Sequence, residues 1–373
     1  NILYLPIKNI FKLDMQKNMK KPIILAINPG STSTKIAIFA QDEKIFIENI
    51  KHSSDELSKY HTIAEQYDFR KEMILNELKN KNIELSSIDM VIGRGGLIKP
   101  IKAGVYAVNE LMIQHLRDGY NGQHASNLGG IIANSIAKVI GLKEAYIADP
   151  VVIDEMTDVA HIAGHPLFYR KPIFHALNQR AVGRIYAKGL GKKYEELNLI
   201  ITHMGGGITV GAHEKGKVID VNQGLDGEGP FSPERSGSLQ MNQIIEVCFS
   251  GKYTEAEVRK MIVGKGGYVA YFGTNDAYEI EKRALAGDEK AILLEDAMAY
   301  QVGKAIGEYA AVLKGKVDAI LLTGGLAYGK PIVEKISKYV SWIAPIKVFP
   351  GEDEMGALAM NACLMYSGES KVQ

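Results

Sequence analysis

The chain has 373 residues, enough for two domains of ordinary size, and its 46% hydrophobic and 23% charged residues describe a foldable chain, not a disordered one. The 44 Lys and Arg against 43 Asp and Glu leave a net charge of +1, which excludes a nucleic-acid binder working through bulk positive charge. Two cysteines, Cys248 and Cys363, exclude a disulfide scaffold and a cysteine-rich metal centre and suit a reducing cytosol.

Residues 1–18, in front of Met19-Lys20-Lys21, read as a leader or extension without the cleavage site of a signal peptide. Residues 23–28 form a buried strand and 35–39 its hairpin partner, with Pro29-Gly30-Ser31-Thr32-Ser33-Thr34 as the turn. A strand over 44–50 completes a meander, and Ser53-Ser54-Asp55-Glu56 has the spacing of a capping box opening a helix. A short strand, 90–92, runs into Gly93-Arg94-Gly95-Gly96; a helix spans 125–139; a strand over 145–148 ends at Asp149-Pro150. The longest uncharged stretches, 121–137 and 198–213, carry His, Asn, Gln and Gly, so neither supplies the roughly 18 apolar residues of a membrane span.

The pattern then restarts. Shifted by 175 residues, Ile24-Leu25-Ala26-Ile27-Asn28-Pro29-Gly30 falls on Leu199-Ile200-Ile201-Thr202-His203-Met204-Gly205. Second and third strands recur at 208–212 and 217–221, helices follow at 241–249, 254–263 and 288–313, and a strand over 318–322 enters Thr323-Gly324-Gly325-Leu326-Ala327. Alternating strands and helices, laid out twice, predict an α/β protein of two duplicated domains with a cleft between them. The expected boundaries are 19–150 for the first domain, rejoined by a last helix at about 356–373, and 151–355 for the second.

Three strand ends carry small-residue loops, at 28–35, 203–209 and 323–327. Glycine lets backbone N–H groups approach a phosphate, and hydroxyls add donors. Taken singly each loop also reads as a tight hairpin turn; three of them, two at matched positions, favour phosphate. Gly324-Gly325-Leu326-Ala327-Tyr328-Gly329-Lys330 has P-loop spacing, but Pro331 stands where a hydroxyl must reach Mg²⁺. Gly205-Gly206-Gly207 leads into a strand, not into the helix of a dinucleotide fold. His161 and His165 are spaced i, i+4 with Pro166 following, which reads as structural and not as a zinc pair.

Asn28-Pro29-Gly30-Ser31-Thr32-Ser33-Thr34-Lys35 resembles the first phosphate loop of the acetate kinase family, within the acetate and sugar kinase/heat-shock cognate/actin superfamily. His203-Met204-Gly205-Gly206-Gly207-Ile208-Thr209 resembles its second phosphate loop, and Leu322-Thr323-Gly324-Gly325-Leu326 its adenosine loop. Arg94-Gly95-Gly96, Asp149-Pro150, Phe174-His175-Ala176-Leu177-Asn178, Pro233-Glu234-Arg235-Ser236-Gly237 and Asp353-Glu354 follow in family order. The segments around Gly122 and Phe174 are similar to the butyrate kinase branch. The resemblance implies two actin-like ATPase (ribonuclease H-like) domains, ATP/ADP and Mg²⁺ as cofactors, a cytoplasmic enzyme, a homodimer or higher homo-oligomer, and a small carboxylic acid as substrate, with no nucleic-acid or membrane partner.

The reaction so implied is carboxylate plus ATP giving acyl phosphate plus ADP. The nucleophile is already anionic at pH 7, so the task is to bring two anions together with fixed positive charge. By resemblance, Arg94 and Arg235 hold the carboxylate and steady the phosphoryl group, His175 donates to its equatorial oxygens, and Asp149 orients an arginine or the metal shell. Asn28, Ser31, Ser33, Lys35, His203, Gly205, Gly206 and Gly207 line the phosphate path; Asp276, Gly324, Gly325 and Leu326 meet the nucleotide; Glu354 and Asp353 mark the Mg²⁺ end. The two acids also read as first-turn residues favoured by a helix dipole. Relative to Gly95-Gly96 the arginine stands three residues later than in acetate kinases, which leaves open which arginine holds the carboxylate. Gly93 and Gly122 replace larger pocket walls of acetate kinases, leaving Phe174 as a wall and room for extra methylenes, each worth about 1–3 kcal/mol. The remaining alternatives are an acetate or propionate kinase, and a non-catalytic actin-like nucleotide-binding protein.

Overall fold

The computed structural model describes residues 2–5 and 21–373. In chain order its strands are β1 (Leu3–Tyr4), β2 (Ile23–Pro29), β3 (Ser33–Ala40), β4 (Glu43–Lys51), β5 (Met90–Arg94), β6 (Val105–Ala107), β7 (Tyr146–Ala148), β8 (Asn198–Met204), β9 (Ile208–Glu214), β10 (Lys217–Val221), β11 (Ala319–Gly324) and β12 (Ile346–Pro350). The described residues fall into two compact units, one of 21–154 and Asp353–Gln373, the other of 2–5 and Glu155–Glu352.

In the first unit the sheet order is β4-β3-β2-β5-β7-β6. Strands β2, β3 and β4 form the antiparallel meander, and β5 and β7 continue it in parallel. Ile24, Leu25, Ala26 and Ile27 are all buried, the run of apolar residues expected of a strand covered on both faces. Each fully buried Ile or Leu contributes about 1.5–3 kcal/mol relative to exposure. Helices Asn127–Ile140 and Glu354–Tyr366 both pack on β2 and β5, which places the start of the second helix beside the ends of those strands. The expected capping box is present, with both Ser53 and Glu56 closing it at the first turn of Ser54–Leu57.

The second unit repeats the plan. Its sheet, β1-β12-β11-β8-β9-β10, again joins an antiparallel meander (β8, β9, β10) to parallel strands (β11, β12). The repeat is inexact at the turn. Pro29 pairs with Thr34 in the first hairpin, whereas Met204 pairs with Ile208, so the second glycine loop is one residue shorter. Helix Glu289–Val312 supplies much of the core: Ala291, Leu294, Met298, Val302, Ala305 and Tyr309 recur every three or four residues and are buried. Asp288 caps its N-terminus, accepting from the amides of Lys290 and Ala291 at 3.1 and 3.2 Å.

The expected leader over 1–18 lies mostly outside the described residues. Of its described part, Leu3 and Tyr4 pair in parallel with Lys347 and Val348 at the sheet edge. No helix among the described residues is long and apolar enough to cross a membrane.

Candidate active site

Three of the expected site residues meet at the strand ends of the first unit. Asn28 is the penultimate residue of β2, Arg94 closes β5, and Glu354 opens helix Glu354–Tyr366. Arg94 Nη1 lies 3.0 Å from Glu354 Oε1 and donates to Asn28 Oδ1 at 3.4 Å, while Asn28 Nδ2 donates to the same glutamate. Among the described residues these contacts engage only Nη1 of the guanidinium. The rest of the Arg94 fork, Nη2 and Nε, is the geometry that matches a carboxylate.

Other expected residues of this unit have local duties. Asp353 is the N-cap of the same helix, accepting from Gly356 N at 2.9 Å. Asp149, fully buried after β7, has a φ of +38° and exchanges hydrogen bonds with Gly104, through its backbone and its carboxylate, both at 3.0 Å. A left-handed backbone at a buried aspartate is a strained feature of the kind that gathers near functional sites. Lys35 is exposed opposite Asn28 in the β2–β3 ladder.

Gly93 corrects an expectation. A Cβ there would strike the backbone of Gly129 in helix Asn127–Ile140, so its smallness serves strand–helix packing and opens no pocket. Gly122 has a φ of +121°, which a glycine tolerates, and a Cβ would meet only Leu97 at 3.4 Å, so turn geometry and spare room coexist at that position.

One residue that holds the first glycine loop was not among those expected. Arg70, on helix Tyr67–Asn80, is 1% exposed and donates to the carbonyls of Gly30, Ser33 and Ser31 at 2.7, 3.0 and 3.1 Å. No sequence motif marks it, because most of its partners are main-chain atoms about 40 residues away.

The second unit builds its own cluster. His175 sits at the N-cap position of helix Ala176–Gly189. Its Nδ1 is 2.9 Å from Thr209 Oγ1, and its ring stacks on His203, centroids 3.8 Å apart. His203 Nδ1 is 2.8 Å from Asn178 Oδ1 and its Nε2 faces Glu352 at 3.7 Å. Thr209 is fully buried and also receives Gln179 Nε2 at 2.9 Å. Phe174, beside His175, is buried.

Arg235 lies flat against the second glycine loop. A Cβ on Gly207 would collide with its guanidinium. Nη1 donates to Gly224 O at 2.7 Å, and Gly224 N in turn donates to Ile173 O at 2.7 Å, so the histidine segment and the arginine share one support. Among the described residues Nε is buried without a hydrogen-bond partner. Desolvation pushes the Arg235 pKa below its ordinary value, the neighbouring Glu234 acting the other way. A buried donor with no acceptor is costly unless a ligand supplies one.

The adenosine loop and Asp276 share a cavity of about 340 Å³ lined by Asp276, Tyr278, Glu281, Gly325, Leu326 and Tyr328. Asp276 also caps helix Ala277–Leu285, accepting from Tyr278 N at 3.0 Å. Gly324 forms no part of that lining; a Cβ there would strike the backbone of Met204. A second cavity, about 510 Å³, lies among Arg170, Asp220, Glu228, Lys304 and Tyr309. Arg170 bonds Asp220 and Glu228 at 3.0 and 2.9 Å, pinning the segment ahead of His175 to the one ahead of Arg235. His161, half of the discounted zinc pair, stacks on Tyr169 with centroids 4.7 Å apart. Arg94 thus belongs to one unit, and His175, His203 and Arg235 to the other.

The chain has the fold of the short-chain carboxylate kinases of known structure. It matches an acetate kinase from Porphyromonas gingivalis with a TM-score of 0.75 at 21% identity, covering 92% of this chain and 100% of that one. A propionate kinase from Francisella tularensis matches at 0.72 and 18% identity, covering 91% and 98%. The actin-like α/β architecture expected from the loops is therefore borne out. Residues 158–340 match the acetokinase family. Over 350 residues the chain is 57% identical to butyrate kinase 2 and 54% identical to butyrate kinase 1 of Clostridium acetobutylicum, in each case 94% of this chain and 98% of the relative. The chain belongs to the acetokinase family.

Proposed function

We propose that this protein is an ATP-dependent carboxylate kinase that phosphorylates butyrate, reversibly, to butanoyl phosphate. The observation that carries the reading is the state of Arg235, a guanidinium laid along a glycine loop with its Nε buried and without an acceptor among the described residues. An anion at that loop would satisfy it. The identity to butyrate kinases over 94% of the chain supports the acid.

In this reading the substrate carboxylate is its own nucleophile and no general base is needed. The free part of the Arg94 fork holds the carboxylate. His175, fixed by Thr209 and His203, and Arg235, fixed by Gly224, oppose the charge that spreads over the transferring phosphoryl oxygens. Asn28, Ser31, Ser33, Lys35, His203 and Gly205–Gly207 serve the phosphates, and Asp276, Gly325 and Leu326 the nucleoside. Asp149 is a positioning residue behind Arg94.

Among the described residues no group of three or more His, Cys, Asp or Glu could by itself hold a metal ion. That fits Mg²⁺, which keeps several waters and needs only one or two carboxylates besides phosphate oxygens. Glu354, with Asp353 next to it, would hold the ion, whose chemistry is to neutralise the phosphate oxygens. The reading includes a cytoplasmic homodimer. Helix Met241–Phe249 buries none of its residues, and Met241, Ile245 and Phe249 are exposed along it, an apolar face suited to self-association.

The test is a hydroxylamine trap for acyl phosphate, run with ATP, Mg²⁺ and straight-chain acids from C2 to C6. The highest kcat/KM is expected with butyrate. Product from acetate with none from butyrate would overturn the chain length, and no product from any acid would favour a nucleotide-binding protein without kinase activity.

A further inference from the structure

Arg70 is one of the largest fully buried side chains, and no Asp or Glu among the described residues pairs with it. All its acceptors are neutral: the carbonyls of Gly30, Ser31 and Ser33, Thr34 Oγ1 at 3.2 Å, and Gln66 Oε1 at 2.8 Å from Nη2 and 3.2 Å from Nε. Burial lowers its pKa to about 10, which still leaves it charged at neutral pH. A buried cation normally has a partner charge, because desolvation without one is expensive. Here the counter-charge is missing, and the cation is held directly under the first glycine loop.

The loop's peptide geometry gives that placement a consequence. In a trans peptide the C=O and the N–H of one unit point in opposite directions. No peptide bond among the described residues is cis. Carbonyls of Gly30 and Ser31 drawn onto the guanidinium therefore send the N–H groups of Ser31 and Thr32 away from it. Those two amides have no hydrogen-bond acceptor among the described residues, and both residues are exposed. The result is a pair of aligned donors backed by a full positive charge, an anion-binding concavity.

We infer that Arg70 is a positioning residue of the phosphate site: its uncompensated charge and its grip on three loop carbonyls aim the Ser31 and Thr32 amides at phosphate oxygens of the nucleotide. This rests on the reading of the loop as an ATP site. Arg70 itself touches no substrate; it acts through the loop, both by holding its shape and by the field it sets there.

Charge and shape are separable. Gln66→Glu is isosteric and puts a carboxylate where the amide oxygen already accepts from Nη2 and Nε, so the fold keeps its contacts while the charge is cancelled. Equilibrium binding to the full chain would be measured with Mg-ATP and, separately, with adenosine, which carries no phosphate. The expected result for Gln66→Glu is a Kd for Mg-ATP raised roughly tenfold, a Kd for adenosine within about twofold of the parent, and a melting temperature at or above the parent's. Arg70→Lys, which keeps the charge but has no fork to hold three carbonyls, is expected to weaken Mg-ATP and spare adenosine in the same way, with some loss of stability. Equal weakening of both ligands in Gln66→Glu, or no change in either, would overturn the inference. A parent protein that binds Mg-ATP but forms no acyl phosphate would count against the kinase reading and leave this one standing.

Discussion

The imidazoles of His175 and His203 stack with centroids 3.8 Å apart and planes 11° from parallel. His203 is nearly fully buried and is itself held by Asn178, so it forms a fixed surface on which the more exposed His175 ring is laid. The stack and the Thr209 hydroxyl together leave His175 little freedom of rotation. Preorganised donors of this kind are worth about 10²–10³ in kcat when one is removed. His175→Ala is therefore expected to lower kcat by about that factor with little change in the KM for ATP. His203→Ala should cost less, about tenfold, and His203→Phe, which restores a flat ring under His175, should recover part of it. Equal losses in His203→Ala and His203→Phe would show that the stack does not matter.

Gly206 and Gly207 look alike in the sequence and differ in what a side chain would meet. At Gly206 a Cβ would lie 3.1 Å from Glu234 Oε1, the far end of a flexible side chain that can move aside. At Gly207 it would collide with the Arg235 guanidinium, which is fixed by Gly224 and cannot move without losing that bond. Gly206→Ala is expected to keep kcat within about threefold. Gly207→Ala should lower it by about 10²-fold, the loss expected when a charge-stabilising donor is displaced. Steady-state kinetics on the two variants would settle the contrast, and similar losses in both would mean that Arg235 is not working from its present position.

Arg94 and Glu354 are partly buried partners 3.0 Å apart, and they lie 260 residues apart in the chain. Removing Glu354 leaves a guanidinium without its counter-charge, whereas removing Arg94 leaves a carboxylate held, among the described residues, by Asn28 alone. Each single change should disturb the site more than the pair is worth. Arg94→Ala is expected to lower kcat/KM for the carboxylic acid by about 10²-fold, through KM. Glu354→Gln should act instead on the Mg²⁺ concentration needed for half-maximal rate. A double-mutant cycle on kcat/KM should show coupling of about 1 kcal/mol or more. Additive effects would place the two residues in separate roles.

How far this could be read from the sequence depended on whether the signal was local. The capping box at Ser53, the alternation of strands with helices, the helices at 241–249 and 288–313, and the duplicated hairpins all rest on neighbouring residues, and all are present. The glycine loops were visible because backbone approach to a phosphate demands small residues in a row. Arg70 and Arg170 were not, because each acts on atoms distant in sequence and neither has a composition of its own; Thr209 lies in the second loop's motif, but its bond to His175, 34 residues away, leaves no local signal. Helix Ala176–Gly189 has little local signal, since it carries Gly183, which packs against Tyr194, and few large apolar residues to mark a period. Strand β12 is only five residues long and ends in Pro350. The opposite error occurred at Gly93, where a missing side chain suggested a roomier pocket and the space was taken by the backbone of Gly129.

The support under the first glycine loop also predicts how stability responds to acid. His52 is buried, its Nε2 is 2.8 Å from Thr34 Oγ1, its Nδ1 has no hydrogen-bond partner among the described residues, and its ring meets Phe69 edge-on. Burial first, then the charge of Arg70, lower its pKa to about 4, with Glu56 opposing weakly. His213, buried beside Tyr194 and Gln179, is likewise lowered, to about 3, by burial and by Arg180. In the unfolded chain each ring takes a proton below about pH 6.5, while in the folded chain it stays neutral. Between pH 6.5 and 4 the unfolded state therefore binds more protons, and stability falls as pH falls. Above about pH 8 both rings are neutral in either state and neither contributes any slope. For His52 the loss over that window is on the order of 2–3 kcal/mol. Urea unfolding at pH 7.5, 6 and 5 should show the decline in the parent protein. His52→Gln, which cannot take up a proton in either state, should flatten it by His52's share while leaving the His213 share in place. Parallel curves for parent and variant would mean that His52 is already accessible to protons in the folded protein.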